Sequence, residues 1–202
     1  MIRLGILAST RATDMQAVID AIDAKKLNAV ISVVISNKQD AYALERAKNH
    51  KIKAVFIESK GKAREEYDKE AAKVLDEHKA ELILLIGYMR ILSPWFVKRY
   101  KNRIINIHPS LLPKYPGAMD LDVHAEVLKN KEKTTGATLH FVNESVDSGP
   151  IIMQKEVKID EYETPDTLKA KVQKAEQEII VKAIELLEKG MIKVKGSEVL
   201  IK

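Results

Sequence analysis

Asn106 and His108 stand two positions apart in Ile104-Ile105-Asn106-Ile107-His108-Pro109. The apolar run reads as a strand, and successive strand side chains point to opposite faces, so these two polar groups share a side. An amide donor and an imidazole aimed at one point could stabilise an oxyanion and move a proton. Pro109 pushes His108 toward extended backbone, and with Pro113 and Pro116 it stiffens the loop that follows. A histidine held extended at the carboxyl end of a strand lies where open α/β sheets bind their ligands. Spacing alone equally describes two polar residues that end a strand.

The elements that must position this pair follow from hydrophobic patterning. Ile2 to Leu7 reads as a strand and Ser9 to Thr13 as a turn. Thr13-Asp14-Met15-Gln16 matches a capping box, followed by Met15, Val18, Ile19 and Ile22 at helical spacing. Ala29 to Ile35 is nearly continuous in apolar residues, as in a strand buried on both faces. Asp40 can cap a short helix through Ala47, and Ala54 to Ile57 is a strand. A helix spans about Lys62 to His78, with Tyr67, Ala71, Val74 and Leu75 inward. Leu82 to Ile86 reads as a central strand, and Ser93-Pro94 opens a helix.

This alternation is the pattern of βαβ units on a doubly wound, mostly parallel sheet. Beyond Asn106 it changes. A helix near Asp122 to Leu128 precedes strands Ala137 to Val142 and Ile151 to Ile159, expected to extend the sheet with antiparallel pairing. Thr164 or Asp166 starts a long helix with Leu168, Val172, Ala175, Ile179, Ala183 and Leu187 on one face, and Gly190 ends it. Met191 to Ile201 reads as a terminal hairpin around Lys195-Gly196-Ser197.

The 202 residues fit one domain with a sizeable core. No apolar run reaches the roughly 18 residues that span a bilayer, and Met1-Ile2-Arg3-Leu4 lacks a signal-peptide pattern. The absence of cysteine excludes disulfides and thiolate metal sites and agrees with a cytoplasmic protein. The net charge of +5 comes largely from lysines scattered among acids. It reads as a solvated surface rather than a nucleic-acid stripe, since no aromatic-studded basic segment appears. Five histidines without a helical metal-ligand pair argue against zinc. Neither a Gly-x-Ser-x-Gly elbow nor a P-loop is present.

Ile105-Asn106-Ile107-His108-Pro109-Ser110-Leu111-Leu112-Pro113, with Gly87-Tyr88-Met89-Arg90-Ile91-Leu92-Ser93-Pro94 before it and Val146-Asp147-Ser148-Gly149-Pro150 after it, resembles the folate-dependent formyltransferases. Within them it is most similar to the branch serving purine synthesis, over roughly residues 1 to 190. The resemblance implies a Rossmann-like formyltransferase fold and formyl transfer from 10-formyltetrahydrofolate to the amine of phosphoribosylglycinamide. It implies no metal, no nucleic acid, no membrane, and a monomer or weak homodimer. Residues 1–100 would form the nucleotide and phosphate half, and residues 101–202 the catalytic and folate half, of a single domain.

Residue by residue, the resemblance makes Asn106, His108 and Asp147 catalytic. It places the pteridine on the backbone of Met89, Arg90, Ile91 and Leu92, with Arg64 nearby. It also closes the loop Asn143, Glu144, Ser145, Val146 and Asp147 over the folate. The acceptor would meet Gly87, Pro109, Glu176 and the first βα turn. In the family that turn is glycine-rich and ends in Ser-Asn, whereas here it is Ser9-Thr10-Arg11-Ala12-Thr13-Asp14. Missing glycines remove easy access to positive φ, Asp14 adds a negative charge, and Arg11 could offset it with a bidentate contact.

Taken alone, Thr13 and Asp14 could only cap a helix, Met89 to Leu92 could be an ordinary βα loop, and Arg64 and Glu176 could be surface charges. Asp147 could be a turn former; set beside His108, it is expected to orient the imidazole and raise its pKa. His50 and His78 are expected to face solvent, and His140 to be structural. The segment Ala118 to His124 is longer than in relatives and keeps one histidine. Another acceptor, such as an amino sugar, hydrolysis of the formylfolate, or a noncatalytic folate-binding protein are the alternative readings.

Overall fold

The computed structural model describes residues 1–117 and 120–202. Ala118 and Met119, part of the lengthened segment singled out above, lie outside the described residues. Strands β1 (Ile2–Ala8), β2 (Ala29–Ser36) and β3 (Ala54–Phe56) alternate with helices α1 (Thr13–Asp23) and α2 (Tyr42–Asn49). Helix α3 (Arg64–Glu77) then leads to β4 (Leu82–Leu85), and α4 (Pro94–Arg99) to β5 (Ile104–His108). After β5 come α5 (Asp120–Lys129), β6 (Thr134–Phe141), β7 (Ile151–Lys158), α6 (Pro165–Glu188) and the hairpin β8 (Ile192–Lys195) and β9 (Glu198–Ile201).

Seven strands form one sheet in the order β3-β2-β1-β4-β5-β6-β7, and β8-β9 pair separately. Pairing is parallel from β3 to β5. It becomes antiparallel at β5–β6 and β6–β7, the extension expected from the change of pattern after Asn106. The chain winds outward from β1 to β3 and then returns to place β4 on the other side of β1. This reversal opens a crevice at the carboxyl ends of β1 and β4, where doubly wound sheets hold ligands.

Helices cover both faces, so the parallel strands are apolar on both sides. Leu4 and Ile6 of β1 pack with Met15 and Val18 of α1 and with Val172 and Ile179 of α6. Leu7 points the other way, toward Tyr67 and Leu75 of α3 and Phe96 of α4. Gly5 lets α3 approach the sheet, because a β-carbon there would lie 2.3 Å from Leu75 Cδ2. No helix among the described residues is long and apolar enough to cross a membrane.

The helix starts show where local rules were overridden. Ser93 caps α4, its hydroxyl accepting from the Phe96 N–H, as expected. At α6 the cap is Thr164, in a reciprocal box with Thr167, and Asp166 lies inside the first turn. The expected capping box at Thr13 does not form. Thr13 is already helical, the cap residue is Ala12, and no side chain caps this end. Gln16 turns instead to Asp20 and Arg46. Asp40 is likewise not a cap, since α2 starts after Ala41 without a side-chain bond. In both cases tertiary partners or the backbone geometry of the crevice outweigh a capping preference of about 1 kcal/mol.

Candidate active site

Three loops converge on the carboxyl edge of the sheet and enclose a cavity of about 280 Å³, near the lower end for small-molecule sites. The turn after β1 and the segment after β4 are tied together. The Ser9 N–H donates to the Gly87 carbonyl (3.0 Å), and the Met89 N–H donates to Ser9 Oγ (2.9 Å). Ser9 Oγ in turn donates to Asn37 Oδ1 (2.6 Å). Gly87 is needed here: its φ is +57°, and a β-carbon would lie 2.2 Å from Thr10 Oγ1.

Arg11, Ala12, Thr13 and Asp14 line the cavity from the start of α1. Although the turn lacks glycine, Ala12 still adopts the left-handed conformation (φ 46°), which disfavours residues with a β-carbon. Its backbone therefore reaches the conformation that glycine would reach freely. Met89, Arg90, Ile91 and Leu92 line it from the segment after β4, with Met89 and Ile91 exposed and Leu92 buried. The Arg90 guanidinium stacks on the Tyr67 ring, 4.3 Å from its centroid. Asn143, Glu144, Ser145, Val146 and Asp147, from the loop between β6 and β7, form the lid side, and Pro109 borders His108. Arg64 is not brought to the cavity. It sits exposed at the start of α3, where its charge acts on Asp68.

The chemical groups line the same cavity. Asn106 and His108 alternate with Ile105 and Ile107, which point into the α1–α6 core, so the polar pair occupies the opposite face of β5. His108 Nδ1 lies 3.2 Å from Asp147 Oδ2, and Nε2 lies 2.9 Å from the Tyr115 carbonyl, which can only accept. Asp147 also accepts from the Gly117 N–H (2.8 Å) and from Asn106 Nδ2 (3.3 Å). Its own backbone is left-handed (φ 49°), so the carboxylate is held in the cavity by a strained loop residue.

His140 completes the cluster and was missed by sequence reasoning, which took it as structural. The antiparallel register sets it opposite Asn106, and its Nε2 lies 3.2 Å from Asn106 Nδ2 and 3.4 Å from Asp147 Oδ1. Its Nδ1 lies 2.9 Å from the Phe141 carbonyl, which can only accept, so Nδ1 carries a proton, while Nε2 faces both the Asn106 amide and the Asp147 carboxylate. A register irregularity between β6 and β7 falls at this histidine, as bulges often do beside functional side chains. The only available signal was a histidine in an apolar strand, which periodicity cannot place against Asn106.

The electrostatics bear out the upward pull of Asp147 on His108 but give the net direction to burial. His108 is 3% exposed, and this burial pushes its pKa below the ordinary value. The Asp147 charge and the Tyr115 carbonyl pull it up without cancelling that drop. Asp147 moves down: burial raises it, but the His140 contact, the charge of His108 and the Gly117 N–H outweigh burial. The carboxylate thus supports the imidazolium, while desolvation sets the net direction.

Glu176 is not a surface charge. It is buried at 6% exposure on α6 and lines the cavity opposite Asp14, as do Lys169 and Gln173. His124 of α5 is also buried and lines it. His50 is exposed at the end of α2, and His78 is half-buried after α3. Among the described residues no cluster of three or more His, Asp or Glu side chains could hold a metal ion.

Comparison with known proteins agrees with this fold. The chain is 39% identical to phosphoribosylglycinamide formyltransferase of Escherichia coli K12, over 93% of this chain and 88% of that one. It is 41% identical to the trifunctional purine biosynthetic protein adenosine-3 of Drosophila melanogaster, over 93% of this chain but only 14% of that longer one. The crystal structure of glycinamide ribonucleotide transformylase 1 from Symbiobacterium toebii superposes with a TM-score of 0.94 at 36% identity, covering 100% of this chain and 94% of that one. A formyl transferase family model matches residues 2–184, and the chain belongs to that family.

Proposed function

We propose that this chain transfers the formyl group of 10-formyltetrahydrofolate to the primary amine of phosphoribosylglycinamide, a step of purine synthesis. The observation that carries the reading is the cluster Asn106, His108 and Asp147 in one cavity that is also lined by two unlike segments. One segment is the start of a helix flanked by Arg11, suited to a phosphate. The other is the irregular backbone of residues 86–93 rimmed by exposed Met89, Ile91 and Val146, suited to a flat heterocycle with donor and acceptor edges.

The folate co-substrate supplies a formyl carbon at the oxidation level of a carboxylic acid. The residues of this chain orient it and manage charge and protons. As the neutral amine attacks the formyl carbon, its oxygen gains negative charge. Asn106 Nδ2 offers an N–H to that oxygen, releasing one of its long bonds to His140 or Asp147. His108 is held poised: both ring nitrogens face oxygen acceptors, while burial, with a smaller contribution from His140, keeps its pKa low. Negative charge on the formyl oxygen adds a further pull and tips the ring toward imidazolium when it is needed. Asp147 holds the ring and, through water, takes the proton lost by the attacking amine. His108 then protonates the departing folate nitrogen.

The test is to follow folate absorbance with and without phosphoribosylglycinamide. Release of tetrahydrofolate that requires the nucleotide is the expected result. Equal release without it would replace transfer by hydrolysis.

A further inference from the structure

We infer that Asp14 and Glu176 form a proton-sharing carboxyl pair at the α1 end of the cavity, and that an anionic acceptor binds by drawing a proton onto that pair. The inference rests on the acceptor entering at this end, and concerns two groups that the formyl transfer steps do not use.

Both carboxyls are at least nine-tenths buried, at 6% exposure each, and both line the same cavity. Asp14 Oδ1 has no hydrogen-bond partner, although a buried carboxylate ordinarily finds several. Asp14 is the second residue of α1, a helix start left without a side-chain cap by Ala12. A carboxylate there occupies the position an incoming anion would use, so the two compete for the same helix end. Helices α1 and α6 pack together, which places Glu176 close enough for the Asp14 charge to act on it. Two like charges in a site this dry cannot both stay ionised, and holding one proton between them removes the conflict.

The surrounding charges do not cancel the pair. Lys169 on α6 pulls Glu176 down, but burial and the Asp14 charge together hold it well above its ordinary value. Burial lifts Asp14 to about 7, against the helix end that would favour its charged form. His124 on α5 and Gln173 on α6 also face this space, and Arg11 on the turn is exposed.

The sign follows from linkage. Acceptor affinity is full below about pH 7, where Asp14 carries its proton. It falls by up to about tenfold per pH unit above that, because binding then requires proton uptake. Calorimetry with phosphoribosylglycinamide, in two buffers of different ionisation enthalpy near pH 7.5, counts the protons taken up. The wild type is expected to take up a substantial fraction of one proton. Asp14→Asn and Glu176→Gln, both near-isosteric, are expected to lose most of that uptake and to flatten the pH dependence of Kd. Titration of the ligand itself is common to all three proteins. Equal uptake in the wild type and Asp14→Asn overturns the linkage. In the free wild-type protein, infrared difference spectra against each variant should show a protonated carboxyl near pH 7, and its absence overturns the shared proton. No binding of the nucleotide by any of the three proteins overturns the acceptor assignment instead, while the infrared band decides the shared proton independently.

Discussion

Asp147→Asn separates the charge of this residue from its shape. The carboxylate Oδ2 lies 3.2 Å from His108 Nδ1. At an effective dielectric of about 20, that separation is worth roughly 5 kcal/mol between a carboxylate and an imidazolium. The Asp147 side chain is only 11% exposed, so solvent screens little of it. Asparagine keeps an acceptor oxygen and recovers a neutral hydrogen bond of about 1 kcal/mol. The net loss of support for a protonated His108 is therefore about 3–4 kcal/mol, or two to three orders of magnitude in kcat/KM. The limb of the pH–rate profile on which His108 loses its proton should also move to lower pH, because the main upward pull on the imidazole is gone. Folate absorbance recorded between about pH 6 and 9 reads both effects, with urea unfolding as the control for folding. A folded Asp147→Asn with kcat/KM within about fivefold of wild type across that range would refute the electrostatic role.

Asn106→Ala and His108→Ala should each lower turnover by about two orders of magnitude or more while the chain still folds, as steady-state kinetics beside circular dichroism would show. Asp14→Asn should change stability with a definite sign. The folded pKa of Asp14, about 7, lies above its ordinary 3.8, so its contribution is present at low pH and lost as pH rises between these values. The amide does not titrate, so by about pH 8 the variant should exceed wild type by up to about 4 kcal/mol, and by little near pH 4, in urea titrations. The same pH dependence in both proteins would contradict the buried ionisation. Gly149→Ala should be severe, because the added β-carbon would lie 1.7 Å from the Phe141 carbonyl oxygen, a backbone atom that also receives His140 Nδ1. A loss of about 3 kcal/mol or more is expected by thermal melting, and an unchanged melting temperature would show that the loop shifts at no cost.

The elements of this fold were largely legible because their signals are local. Apolar runs at Ile2 to Leu7, Ala29 to Ile35 and Leu82 to Ile86 mark strands buried on both faces, and their alternation with helical periods implies a parallel sheet. Ser93-Pro94 announced its helix for the same reason. The side-chain caps expected at Thr13 and Asp40 do not form because capping preferences are small beside the contacts that Gln16 makes with Arg46 or the shape of a turn facing a crevice.

For the site, the chain alone determined that Asn106 and His108 share a face, since strand geometry has period two, and that residues 87–94, 105–113 and 146–150 resemble segments of a formyl transferase while the turn at 9–14 departs from them. Only the tertiary structure decided which other groups meet them. The register of β5 against β6 sets His140 opposite Asn106, across 34 positions of sequence. The packing of α6 on α1 turns Glu176 from an apparent surface charge into a buried partner of Asp14. Arg64, matched by resemblance, stays exposed away from the cavity. Burial, which lowers the pKa of His108 despite the carboxylate beside it, is a property of the whole packed core. Periodicity is written into neighbouring residues, whereas desolvation and strand register arise only when distant segments exclude water together.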